Sequence, residues 1–97
     1  METPLGYVFE WDPRKAKLNP KKHAVSFDEA ISAFGDPNAM LLSDVDRSRE
    51  EMRYLLLGLS TRHRLLVVAF VERPPRTRLV SARRATRSER RQYEEES

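Results

Sequence analysis

The spacing of hydrophobic residues along this chain changes from extended to helical and back again. Gly6 to Trp11 (GYVFEW) mixes β-forming residues with one acid and predicts a short opening strand. Asp12-Pro13 then starts a helix, because a carboxylate N-cap accepts free backbone N–H groups and proline at the first position lacks only a donor that would be unpaired anyway. Pro20 cannot donate to the carbonyl four residues back, so the helix is expected to kink or end near Asn19, the segment finishing at His23. Next, Phe27, Ala30, Ile31 and Phe34 fall at i, i+3, i+4 and i+7, the spacing of one buried helical face. Ser26 and Glu29 are placed as a capping box, each bonding the other's backbone N–H, and Gly35 is placed to stop the helix in a left-handed cap.

Beyond Asp36-Pro37 the pattern becomes extended. Ala39 to Ser43 reads as a strand, Val45 to Glu50 as a polar loop, and Arg53 to Ser60 as a second strand. Thr61-Arg62-His63 turns the chain into Arg64 to Glu72, which is apolar on both alternating faces from Leu65 to Val71 and is therefore expected at the centre of a sheet. Arg73-Pro74-Pro75-Arg76 forms another turn, and Thr77 to Arg83 a last strand, expected at the sheet edge. Strict alternation puts Thr77, Leu79, Ser81 and Arg83 on one face of it and Arg78, Val80, Ala82 and Arg84 on the other, with little to show which is buried. Thr86 and Glu89 make a second capping box, opening a final helix of about ten residues. This order predicts an α+β fold: an antiparallel sheet with two N-terminal helices and a C-terminal helix packed on it. Residues 1–97 read as one domain, with residues 1–5 and 94–97 as frayed termini.

Composition narrows the function. Ninety-seven residues, 34% of them charged, support a single thin core. The absence of cysteine excludes disulfides and thiolate metal sites. No stretch has the pattern of a signal peptide or the length of a membrane span, which predicts a soluble cytoplasmic protein. The net charge of +3 is mild but unevenly spread. Between Ser26 and Glu51, the acids Asp28, Glu29, Asp36, Asp44, Asp46, Glu50 and Glu51 face only Arg47 and Arg49, whereas the balance reverses from Arg53 to Arg91. Such a division can create a local field that attracts a polyanion, or it can pair internally.

The chemistry-bearing residues lie in two regions. Six arginines fall between Arg78 and Arg91, with Arg83 and Arg84 just before the last helix, Arg87 and Arg91 four apart on it, and Tyr93 three residues after Arg90. Guanidinium groups there can grip phosphate, with Tyr93 stacking on a base or moving a proton. Taken alone, the helix favours the simpler reading of a solvated one whose arginines pair with Glu89, Glu94 and Glu95. At the other end, His23 follows Lys15, Lys17, Lys21 and Lys22 and is either a proton-transfer group or a helix-end residue satisfying free carbonyls. His63 reads as a turn residue, and Trp11 as a core anchor. No His/Asp/Glu spacing resembles a metal site, so no metal or other cofactor is expected.

The stretch FEWDPRKAKLNPKKHAVSFDEA resembles the opening signature of the BrnT family, ribonuclease toxins of bacterial type II toxin–antitoxin systems. The resemblance rests on Trp11, Asp12, Lys15, Asn19, Lys22, His23, Val25, Ser26 and Phe27, and again near the end on Ser81, Ala82, Arg83, Ala85, Glu89 and Tyr93. Departures from the family pattern fall at Pro20, at Ala24 where glycine is common, and at His63 where a small residue is common. The resemblance implies a RelE-like fold and metal-independent RNA cleavage that arrests translation. It also implies a cognate ribbon-helix-helix antitoxin of the BrnA kind, forming a 2:2 heterotetramer that reaches operator DNA through the antitoxin. In such chemistry His23 and Tyr93 are candidates for proton transfer, and Lys15, Lys22, Arg83 and Arg84 for charge stabilisation. Arg64 and Arg78 are candidates for holding flanking phosphates. The alternative is a non-catalytic partner that binds the antitoxin in an autoregulatory complex at the promoter.

Overall fold

The structure is a computed structural model that describes residues 6–43 and 51–96; the expected loop from Val45 to Glu50 and the first five residues lie outside them. The elements are β1 (Phe9–Trp11), α1 (Pro13–His23), α2 (Phe27–Ala33), β2 (Met40–Ser43), β3 (Arg53–Leu59), β4 (Leu65–Arg73), β5 (Arg76–Arg84) and α3 (Arg87–Glu96). The strands form one sheet in the order β1-β5-β4-β3-β2. The α+β expectation holds, and β4 is the central strand. Two details differ. The sheet is mixed, because β1 pairs parallel with β5, Phe9 opposite Thr77. For the same reason β5 is not the edge strand.

Helix boundaries follow local chemistry with two corrections. The Asp12 carboxylate accepts from the Arg14 N–H at 2.8 Å and starts α1 as expected. The helix does not end at Asn19 but runs on to the expected finish at His23: Pro20 faces solvent within it, and the chain leaves at Ala24, whose N–H bonds the Pro20 carbonyl at 2.9 Å. Ala24 has φ 58°, and the only other non-glycine residue described with positive φ is His63 at 62°. Two of the three departures from the family pattern thus stand where an L side chain crowds the backbone. At the end of α2, by contrast, Gly35 does not form a left-handed cap; Phe34 caps the helix with φ −67°.

Helices α1 and α2 cover one face of the sheet, where Phe9, Val25, Phe27, Ile31 and Phe34 pack on Leu56, Leu66, Val68, Phe70, Leu79 and Ala82. Trp11 packs against this core, its ring 6.0 Å from that of Phe27, as an anchor should. The α2–β3 approach is close enough to require glycine: a Cβ on Gly58 would sit 2.8 Å from the Ala33 carbonyl oxygen. On the opposite face, α3 lays Tyr93 over Leu57, Leu65 and Val67.

One irregularity reorganises the last strand. Ala69 pairs with Ser81 but Phe70 pairs with Leu79, so Val80 is an extra residue in β5. A bulge of this kind reverses the alternation beyond it. Thr77, Leu79 and Ala82 consequently all face the first core, whereas Arg78, Ser81 and Arg83 are only half-buried. The faces expected from strict alternation are therefore correct before Val80 and reversed after it.

Candidate functional site

Where β1 stops, the edge of β5 is covered by α1 instead of by a strand. Asn19, 5% exposed, donates from its amide nitrogen to the Ala82 carbonyl at 2.8 Å and to the Val25 carbonyl at 2.7 Å, and its oxygen accepts from the Ala82 N–H at 3.1 Å. Its side-chain amide thus takes the place of a neighbouring strand's peptide group, satisfying a buried edge. Lys15 and Lys22 lie one turn before and one turn after Asn19 on the same face of α1. With Leu18, His23, Val80 and Ser81 they line a shallow cleft of about 150 Å³ between α1 and the β5 bulge. The structure therefore brings together Lys15, Lys22 and His23 from the sequence-derived candidates. All three side chains are exposed, with no ion pair or hydrogen bond among the described residues.

The other candidates stand elsewhere, and most are engaged. Arg83 makes a two-pronged ion pair with Glu89, at 2.8 and 2.9 Å. That guanidinium, together with the Thr86 N–H, pulls the Glu89 carboxyl down to about 2 despite its partial burial. Glu89 and Thr86 also complete the expected capping box, Thr86 N–H to Glu89 at 2.8 Å and Glu89 N–H to Thr86 at 3.2 Å. Arg78 donates to Glu10 on the adjacent β1 at 3.1 Å. Arg84 is exposed at the end of β5 and outside the residues lining the cleft.

Arg64 closes a network that sequence spacing assigns differently. Ser26 Oγ does accept the Glu29 N–H at 3.1 Å, but the Glu29 carboxylate does not return to Ser26. It is buried, accepting from Ser60 Oγ at 2.8 Å and from two nitrogens of Arg64. The Arg64 hydrogen bonds and charge outweigh desolvation and hold the Glu29 carboxyl below its ordinary range. A second Arg64 contact, Nη2 to the Ala24 carbonyl at 2.9 Å, secures the turn directly after His23.

Tyr93 is likewise committed. Its hydroxyl donates to Asp36 at 2.6 Å, and burial followed by the Asp36 charge raises the phenol to about 12. Burial of Asp36 would raise its carboxyl, but the bonds from Tyr93, Leu59 and Asn38 prevail and lower it. Asp36 covers the Leu59 N–H at the end of β3 much as Asn19 covers Ala82.

Sequence reasoning gave Asn19 no role and missed Val80 and Ser81 as cleft residues. The weak signal was the break in alternation at Leu79-Val80, two apolar residues in succession. Among the described residues no group of three or more His, Cys, Asp or Glu is placed to hold a metal ion, and no helix is long and apolar enough to cross a membrane.

Comparison with curated proteins gives no match. The family model of BrnT, ribonuclease toxin of type II toxin–antitoxin systems, matches residues 11–89, from the start of the Trp11 signature through the Arg83 and Glu89 ion pair. With most of its length covered by that match, this chain belongs to the BrnT family of ribonuclease toxins, and its system includes an antitoxin.

Proposed function

We propose that the cleft between α1 and the β5 bulge is where this toxin cuts RNA, without a metal. The observation that carries this reading is the grouping of Lys15, Lys22 and His23 around one cleft, unpaired among the described residues, while Arg64, Arg78, Arg83 and Tyr93 are held by acids. In the reaction, the 2′-oxygen of a ribose forms a bond to the adjacent phosphorus and the bond from phosphorus to the 5′-oxygen breaks. The products are a 2′,3′-cyclic phosphate and a 5′-hydroxyl. His23 transfers a proton at one of these oxygens, and the lysine ammonium groups stabilise the charge of the crowded phosphorane. Exposed Arg84 is available to a flanking phosphate.

Arg83 and Tyr93 then serve the scaffold, fixing α3 to the sheet. RNA cleavage arrests translation, and a ribbon-helix-helix antitoxin neutralises the toxin in a 2:2 complex that reaches operator DNA through the antitoxin. A RelE-like arrangement of helices on the sheet is consistent with the α1/α2 layer and the opposed α3.

The experiment is cleavage of a defined RNA by purified protein in the presence of EDTA, with both new ends mapped. His23→Ala and Lys22→Ala should each lower the rate about 100-fold or more while leaving the fold intact. Full activity in both variants would remove the site assignment, and dependence on an added divalent ion would remove the metal-free mechanism. A folded native chain that cuts no RNA yet binds its antitoxin tightly would favour the non-catalytic alternative.

A further inference from the structure

Helices α1 and α2 leave part of their sheet face bare. Beside Phe34, at the end of α2, lies a cavity of about 540 Å³ whose lining includes Tyr7, Phe34, Leu41, Tyr54, Phe70 and Glu72. Its floor is a chain of aromatic contacts, with ring centroids 5.4 Å apart for Tyr7 and Phe34, 5.2 Å for Phe34 and Phe70, and 5.7 Å for Tyr54 and Phe70. The rim is unusually open for apolar residues: Leu41 is 60% exposed and Tyr7 39%. The floor crosses β4, β3 and β2, about 10 Å at ordinary strand spacing, and one helix with its side chains is roughly 10–12 Å across.

Charge indicates what lies there. Among the described residues the carboxylates lining the cavity are Glu72, exposed and accepting from Thr77 through one oxygen at 3.0 Å, and Asp36. Among the described residues no lysine or arginine lines it. Phosphate would be repelled here, whereas the lysines gather at the cleft between α1 and β5. Resting on the toxin assignment, we propose that this groove receives one amphipathic helix of the antitoxin, its apolar stripe on Tyr54, Phe70 and Leu41 and a lysine or arginine at Glu72. Anchors at i, i+3 or i+4, and i+7 would complete the helical layer begun by α1 and α2. Inhibitor and RNA would then engage separate surfaces, so the groove can be altered without touching the cleavage cleft.

The test uses the full chain and the purified product of the antitoxin gene of its system. Leu41→Arg and Glu72→Lys change exposed side chains, and circular dichroism and thermal melts confirm that both fold. Each should weaken binding of that product at least tenfold while RNA cleavage by the toxin alone stays within twofold of native. Reversing the charge of the matching lysine or arginine in the antitoxin should restore binding to Glu72→Lys. Native-like binding by both variants would overturn the proposal. So would loss of RNA cleavage in the folded variants, which would make the groove an RNA surface. Dimerisation of the native chain that Leu41→Arg abolishes would also overturn it, by assigning the groove to a second copy. Failure of the native chain to bind the product would overturn the partner reading itself, a result distinct from any of these.

Discussion

Replacing Asn19 with alanine tests how α1 is held against the sheet. The substitution removes a buried amide that satisfies the Ala82 N–H, the Ala82 carbonyl and the Val25 carbonyl. A buried group left without a partner costs about 1–3 kcal/mol. The carbonyls can regain part of this from water, and the three losses share one site, so their effects do not simply add. An overall loss of about 3 kcal/mol is expected from these terms. For a domain of this size, that corresponds to a fall in Tm of roughly 12–24 °C. Urea unfolding followed by the fluorescence of Trp11, the single tryptophan, would measure it.

Asn19→Asp sharpens the test. A carboxylate can still accept the Ala82 N–H, but it faces two carbonyl oxygens to which it has nothing to donate. Burial and those oxygens raise the pKa of the new carboxyl in the folded state, so its protonated form is the one favoured by folding. The sign follows: relative to native protein, the variant should recover stability as pH falls through that raised folded pKa and lose it again as pH rises. A cost below about 1 kcal/mol for Asn19→Ala, together with a pH-independent deficit for Asn19→Asp, would refute the strand-surrogate account.

Three other outcomes are expected. Ala24→Gly and His63→Gly should each stabilise the protein by up to about 1 kcal/mol by relieving positive φ, seen as a higher Tm; a lower Tm for both would contradict the strain argument. Glu89→Gln should remove part of the acid sensitivity. The Glu89 carboxyl falls from an ordinary 4.5 to about 2 on folding, so its stabilising effect is complete above about 4.5 and lost as pH drops towards 2. Native and variant proteins with parallel stability profiles across that window would argue against the ion pair. Tyr93→Phe should lower stability by about 1 kcal/mol and leave RNA cleavage within twofold of native. Absorbance titration should show one tyrosine ionising only near pH 12 and missing from the variant, and a large loss of cleavage would return Tyr93 to the chemistry.

Features governed by neighbours along the chain were readable in advance. The Asp12 N-cap, the Phe27–Phe34 apolar face, the Thr86/Glu89 box and the apolar run of β4 depend on residues within about two helical turns, where backbone geometry fixes who meets whom. The family too was legible, because its two blocks bracket the chain and occur in order. Glu29 shows where such reading stops: a local rule directs its carboxylate to Ser26, but a guanidinium 35 residues away offers a buried carboxylate a stronger, charged pair of bonds.

The parallel placement of β1 was likewise decided by the folded sheet, since a three-residue strand carries no mark of its partner's direction. The bulge at Val80 reversed which residues of β5 face the core, because side-chain direction beyond one inserted residue depends on pairing with β4. Asn19 and Ala82, 63 residues apart, meet only once that sheet exists. The sequence alone determined the cations available to this toxin and the family they indicate. The tertiary structure decided which are neutralised by acids and which stay exposed at the cleft, because ion pairing depends on distance in space and only the assembled sheet sets those distances.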